Sequence, residues 1–269
     1  MAPVPIVENR LKRKLARGEL SLCFSIKAFS TIELAVIASS AGYDCVYLDL
    51  EHGSLGPEAA SRLSIACLGL GLTPLVRVPD LDPAFIGRVL DWGAQGVIVP
   101  HVTSAEDAAA AVAACRFPPI GRRSAGPPNA HSGYRTVAGA EALAQLDEAV
   151  MVAVMIETKS GLENVEAIAA VPGIDLLFVG SNDLTLELGI AGEFRHPLLR
   201  EAFSKVIAAG RRHGKAIGIG GIRNAPDLVG DLVAEGGRFI SAGNDVGLML
   251  SAGTAQVREL RQLESRVGA

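Results

Sequence analysis

A single-domain (β/α)₈ barrel of the TIM type is the fold this sequence predicts, on three observations. Short β-branched runs alternate with amphipathic segments along most of the chain. The runs are nearly continuous apolar stretches, as expected for parallel strands covered on both faces. The length of 269 residues matches the roughly 250 that such a barrel takes.

The candidate strands are Leu20–Ile26, Asp44–Leu48, Thr73–Val78, Gly96–Pro100, Val150–Ile156, Asp175–Val179, Lys215–Ile219 and Arg238–Ala242. Helical spacing fills 31–41, 57–69, 82–92, 104–115, 160–170, 197–212 and 223–235, and a last helix, 244–265, follows the eighth strand. Strict β-then-α alternation favours a closed barrel over an open doubly wound sheet. No strand is followed by the glycine-rich phosphate turn that an open nucleotide-binding sheet would carry. One connection breaks the rhythm: Phe117 to Thr136 holds four prolines and three glycines without periodicity. A segment that long inside a compact domain is usually functional or disordered.

A net charge of -4 and a pI near 5.8 argue against a nucleic-acid surface. The basic cluster Arg10-Leu11-Lys12-Arg13-Lys14 reads as a solvated helix face. No apolar signal segment opens the chain, and no apolar run approaches the 18 or more residues of a membrane span. Cys23, Cys45, Cys67 and Cys115 each fall in apolar runs, so buried free thiols and a cytoplasmic protein are expected.

In a (β/α)₈ barrel the site lies at the carboxyl ends of the strands, so the polar residues that close each strand are the candidates. Strand 2 closes in Asp49-Leu50-Glu51-His52-Gly53, strand 3 in Arg77, strand 5 in Glu157 and strand 6 in Gly180-Ser181-Asn182-Asp183. Glu157 and Asp183, on neighbouring strand ends, suit a hard divalent ion. Taken singly, Asp183 also fits a helix cap and Glu157 a surface pair with Lys159. His52, three residues after Asp49, can be oriented by a carboxylate and act as a base. Arg77 sits in an apolar strand and needs a partner, either structural (Asp49 or Glu157) or a substrate carboxylate or enolate. A Schiff-base lysine is disfavoured, because Lys27 and Lys159 are not embedded in apolar strands and Lys215 opens its strand. The remaining histidines, His101 among them, carry less weight.

The stretches YLDLEHG (47–53), LVRVP (75–79), LDWGAQGVIVPHV (90–102), MIET (155–158) and FVGSNDLTLELG (178–189) occur in this order. Together with FPPIGRRS (117–124) they resemble the 2,4-dihydroxyhept-2-ene-1,7-dioate (4-hydroxy-2-oxoheptanedioate) aldolase family, class II pyruvate aldolases of the phosphoenolpyruvate/pyruvate barrel superfamily. The similarity runs from about residue 18 to 250. The resemblance implies reversible retro-aldol cleavage of a 4-hydroxy-2-oxo acid to pyruvate and an aldehyde through a metal-stabilised enolate. It implies Mg²⁺, Mn²⁺ or Co²⁺ held by Glu157 and Asp183, His52 as base and Arg77 on the enolate. Asp91 would raise the basicity of the histidine. Met155, Gly180, Ser181 and Asn182 would adjoin the pyruvate, and Arg123 and Ala125 would lie on the aldehyde side. It further implies a homohexamer whose last helix lies on a neighbour, and a role in aromatic or sugar-acid catabolism. Met155 stands where many relatives have glutamine, and Gly180-Ser181-Asn182-Asp183 where many read Gly-Pro-Ala-Asp. An acyl-CoA lyase, an oxaloacetate-type decarboxylase and a non-catalytic keto-acid-binding barrel remain as alternatives.

Overall fold

In a computed structural model, described for residues 6–136, 139–222 and 225–267, eight parallel strands close into a barrel in sequence order. The strands are β1 (Ser21–Ile26), β2 (Cys45–Asp49), β3 (Thr73–Arg77), β4 (Gly96–Val99), β5 (Met151–Ile156), β6 (Leu176–Gly180), β7 (Ala216–Gly220) and β8 (Phe239–Asn244). Around them run α1 (Arg10–Ala16), α2 (Glu33–Ser40), α3 (Pro57–Gly69), α4 (Pro83–Asp91), α5 (Ala105–Cys115) and α6 (Ala140–Ala149). The circuit continues with α7 (Lys159–Glu163), α8 (Val165–Ala170), α9 (Ser181–Glu187), α10 (Pro197–His213), α11 (Pro226–Glu235) and α12 (Asp245–Arg261). The expected helix 160–170 is broken at Asn164 into α7 and α8. Residues 223 and 224 of the expected helix 223–235 lie outside the described residues. Helices α6 and α9 were not expected from periodicity; the seven residues of α9 are too few to show one.

Two cores follow from the two faces of the strands. The outward residues, such as Val46, Leu48, Val97, Val152 and Val179, meet the helices. The inward residues, Cys23, Cys45, Tyr47, Leu75, Ile98, Met151, Ala153, Met155, Leu176, Phe178 and Phe239, fill the barrel. Side chains alternate across a strand, so each inward row continues two residues further on. Tyr47 leads to Asp49, Leu75 to Arg77, Met155 to Glu157 and Phe178 to Gly180. The upper layer of a hydrocarbon-filled barrel is thereby made polar.

The amino end of the barrel is closed by α1. The basic segment expected to be a solvated face is solvated on one side only: Leu11 is 1% exposed and joins the inward core. Asn9 caps this helix through Oδ1, which accepts the Lys12 N–H at 2.9 Å. Its Nδ2 donates to the carbonyls of Gln95 and Ala149, just ahead of β4 and β5, both at 2.9 Å. Lys12 and Lys14 reach Asp175 (3.4 Å) and Asp44 (2.6 Å) at the starts of β6 and β2.

Candidate active site at the carboxyl end of the barrel

Asp49 and Arg77 are register partners on β2 and β3. Arg77 Nε and Nη2 donate to the two Asp49 carboxylate oxygens at 3.0 and 2.6 Å, a two-pronged pair with both groups buried. Of the alternatives open for Arg77, the structural partner Asp49 is therefore present. Its third prong, Nη1, faces Glu51 Oε2 at 2.7 Å, an ion contact outside hydrogen-bond alignment, and Met155 Sδ at 3.9 Å. The Lys27 ammonium lies 3.1 Å from Asp49 Oδ2. Burial pushes the Asp49 carboxyl up. The Arg77 hydrogen bonds and charge, the His52 backbone N–H and Lys27 outweigh that and hold it down at about 2.

Asp49 does not orient the His52 ring. Its Oδ1 accepts the backbone N–H groups of Glu51 (3.2 Å) and His52 (3.1 Å), shaping the turn after β2. The His52 imidazole is half exposed, and its nearest carboxylate is Glu51, with Nε2 3.8 Å from Oε2. A residue given little weight in the sequence is more deeply engaged. His101, at φ +53°, donates its backbone N–H to Glu157 Oε1 at 2.8 Å. Its ring spans two acids, with Nε2 2.9 Å from Glu51 Oε1 and Nδ1 3.3 Å from Glu157 Oε1. A non-glycine residue at positive φ costs about 1 kcal/mol or more and marks a constrained position. Its signal in the sequence was a histidine directly after Pro100 at the end of the fourth strand.

Glu157 is fully buried, yet its Oε2 has no hydrogen-bond partner, and the Oγ of buried Ser181 is likewise unpaired. Burial pushes the Glu157 carboxyl up. The charges of Asp183 and Glu51 push it the same way, against the pull of the His101 N–H and ring. A Cβ added to Gly180 would lie 2.4 Å from Glu157 Oε2, so only glycine leaves that oxygen room. A bare buried carboxylate oxygen beside two further carboxylates is a donor set that fits a hard divalent cation. No group of three or more His, Cys, Asp or Glu arranged to hold a metal ion, carboxylates included, occurs among the described residues, so a cation here would have few protein ligands and complete its shell with water.

Asp91, Arg123 and Ala125 are not brought to this mouth. Helix α4 runs back from the mouth, and its nine residues carry Asp91 about 12 Å down to the amino end. There Arg123 Nη2 donates to Asp91 Oδ1 at 2.8 Å, and its guanidinium lies 4.8 Å from the Phe117 ring centre. The 117–136 segment is tied to the same end: the Arg122 N–H reaches the Ala113 carbonyl (2.7 Å) and His131 Nε2 contacts the Leu90 carbonyl (3.0 Å). Asp91, Arg123 and Ala125 line one small hollow with Phe117, Asn129 and Leu143. In an αβ connection a loop necessarily starts and ends at the amino face, whereas substrate meets the opposite face.

Fold and site together define a (β/α)₈-barrel enzyme with an acid-rich mouth built from the ends of strands 2 to 6. The chain belongs to the HpcH/HpaI aldolase/citrate lyase family, whose profile matches residues 22–252. It is 43% identical to a 4-hydroxy-4-methyl-2-oxoglutarate aldolase of Hapsidospora irregularis over 222 residues, 81% of each chain. It is 33% identical to a 5-keto-4-deoxy-D-glucarate aldolase of Shigella boydii, covering 94% of this chain and 96% of that one. The crystal structure of an HpcH/HpaI aldolase from Desulfitobacterium hafniense superposes with a TM-score of 0.87 at 27% identity, over 94% of this chain and 97% of that chain. The expected fold and family are thus both found, and the chain is a carbon–carbon lyase of the aldolase type.

Proposed function

We propose that this chain cleaves a 4-hydroxy-2-oxo acid between C3 and C4, releasing pyruvate and a carbonyl product, with a divalent ion held by Glu157 and Asp183. The observation that carries the reading is the bare, buried Glu157 Oε2, set beside Asp183 and Glu51 and kept clear by Gly180. Mg²⁺, Mn²⁺ or Co²⁺ suits these oxygen donors, and when bound it supplies Lewis acidity at the 2-oxo oxygen of the substrate.

The chain's own residues do the rest. His52, half exposed on the turn that Asp49 shapes, takes the proton of the C4 hydroxyl. Arg77, locked by Asp49 on two prongs, presents Nη1 towards the developing enolate once Glu51 yields that position. His101 holds Glu51 and Glu157 at a fixed separation. Met155 and the Gly180-Ser181-Asn182 turn shape the wall around the pyruvate half.

Asp91, Arg123 and Ala125 can serve a substrate only from a neighbouring copy of the chain, so the proposal includes a homo-oligomer. Helix α12 supports it: Asp245 is its one buried residue, while Met249, Leu250, Val257 and Leu260 are exposed, an apolar load that a second copy would cover. The hexamer is the state proposed. The four free, buried cysteines suit a reducing compartment such as the cytoplasm. No described helix is long and apolar enough to cross a membrane.

Incubation with 4-hydroxy-4-methyl-2-oxoglutarate should release pyruvate in a chelator-sensitive, Mn²⁺-restored manner. His52→Ala should lower turnover by roughly 10²- to 10⁴-fold while Mn²⁺ and pyruvate still bind in calorimetric titration. Full turnover in that variant would reject His52 as the base, and chelator-resistant release would reject the bound ion.

A further inference from the structure

Lys27 continues the inward row of β1, two residues beyond buried Ser25 and four beyond Cys23 in the barrel core. Its ammonium accordingly stands in the mouth, 3.1 Å from Asp49 Oδ2. Asp49 draws only part of its support from it, since two prongs of Arg77 and the backbone N–H groups of Glu51 and His52 also serve that carboxylate. The lysine side chain is 36% exposed, and one contact to Asp49 leaves part of the ammonium's three-donor capacity free.

The mount beneath Lys27 is unusually firm for a loop. Asp245, the first residue of α12 and 4% exposed, gathers three successive backbone N–H groups on its carboxylate. These come from Lys27 (3.2 Å), Ala28 (2.9 Å) and Phe29 (2.9 Å). From the other side, the Ser54 N–H donates to the Lys27 carbonyl at 2.7 Å. Gly53 permits that approach: a Cβ there would lie 2.7 Å from the Lys27 oxygen and 2.1 Å from the Asp49 oxygen. Charge-assisted bonds of this kind contribute about 1.5–3 kcal/mol each and hold the loop in one place. A lysine with no task beyond solvation requires no such anchoring.

Barrel order then decides what the ammonium meets. β1 lies across the barrel from β5, with Arg77 on β3 midway between them. A substrate whose 2-oxo-acid end rests at Glu157 and Asp183 extends past Arg77 towards Lys27. We propose that Lys27, mounted by Asp245, binds a carboxylate on C4 of the substrate, so that the enzyme favours substrates whose second product is itself an oxo acid. The proposal rests on the aldolase reading above. In the cleavage the C3–C4 bond breaks, its electron pair stays on C3 as the enolate, and the C4 hydroxyl proton passes to the base. C4 becomes the carbonyl carbon of a product whose carboxylate remains on Lys27 until release.

Two substrates that differ at this end test it: 4-hydroxy-4-methyl-2-oxoglutarate, with the C4 carboxylate, and 4-hydroxy-2-oxovalerate, without it. Lys27→Met should lower the ratio of their kcat/KM values by roughly 10- to 100-fold, mainly through KM for the dicarboxylate. Lys27→Arg should restore part of the ratio. Asp245→Asn, which weakens the mount and leaves the ammonium in place, should lower the ratio by a smaller factor. An equal fall on both substrates, or no fall on either, in Lys27→Met would overturn the subsite and leave Lys27 as a support for Asp49. An unchanged ratio in Asp245→Asn would overturn the mounting role. Exchange of the pyruvate C3 protons by the wild-type enzyme reports the aldolase reading separately, and its absence would overturn that reading and the subsite with it.

Discussion

The two ends of this barrel bury polar groups for opposite purposes. At the amino end, Asn9 spends its side-chain amide on one N–H and two carbonyls and ties α1 to the entries of β4 and β5. At the carboxyl end, Glu51, Glu157 and Asp183 crowd like charges together, and Glu157 keeps an oxygen without a donor. A satisfied buried amide contributes stability, whereas clustered buried carboxylates cost it. The same scaffold thus places its stitching at one end and its stored electrostatic tension at the other, where the proposed cation would relieve it.

The sharpest way to break this contrast is Glu157→Gln. Activity and Mn²⁺ affinity should fall by roughly 10³-fold, since the buried donor oxygen loses its charge. The melting temperature should hold or rise, because one member of a repelling cluster has gone. Assays of pyruvate release, Mn²⁺ titration and thermal unfolding on one preparation decide it, and a large drop in melting temperature would make Glu157 a structural residue.

Asn9→Ala should do the reverse. It leaves the carbonyls of Gln95 and Ala149 buried without their donor, at a cost of about 2–4 kcal/mol. The melting temperature should drop by about 5–10 °C with kcat/KM unchanged. A loss of turnover without a loss of stability would contradict the division between the two ends.

The smallest effect belongs to His131, also at the amino end. Burial pushes its imidazole down to about 4, against the pull of the Leu90 carbonyl. A depressed histidine binds its proton more readily unfolded than folded. Its contribution is therefore complete above the ordinary value near 6.5 and is lost as pH falls from there towards 4. The full span amounts to about 3 kcal/mol, and roughly half of it is reached near pH 5. Denaturant unfolding at pH 7.5 and pH 5 should show this slope, and His131→Gln should flatten it. An unaltered slope in the variant would assign the acid sensitivity to other groups.

Much of the site was legible because strand periodicity is local. Once the apolar runs were taken as barrel strands, alternation alone put Asp49, Arg77 and Glu157 one layer above Tyr47, Leu75 and Met155. The acids at the strand ends follow from order along the chain. The plug formed by α1 was not legible. A basic heptad with two leucines, Leu11 and Leu15, reads as a solvated helix until the open bottom of a barrel is there to receive Leu11.

What the chain alone determined, then, is the alternation of elements and the identity of the residues that crown each strand, since both depend on near neighbours in sequence. Closure of the barrel decided the rest. It set Asp49 against Arg77 rather than under His52, because register between β2 and β3 fixes that pairing. It drew His101 between Glu51 and Glu157 through a left-handed backbone that no pattern announces. It sent Asp91 and Arg123 to the far end, because a helix returning from the mouth carries its last turn away from it. Lys27, a loop lysine in the sequence, became a fixed cation only when Asp245, 218 residues away, closed over its backbone. Those are contacts between segments distant along the chain, and only packing in three dimensions chooses them.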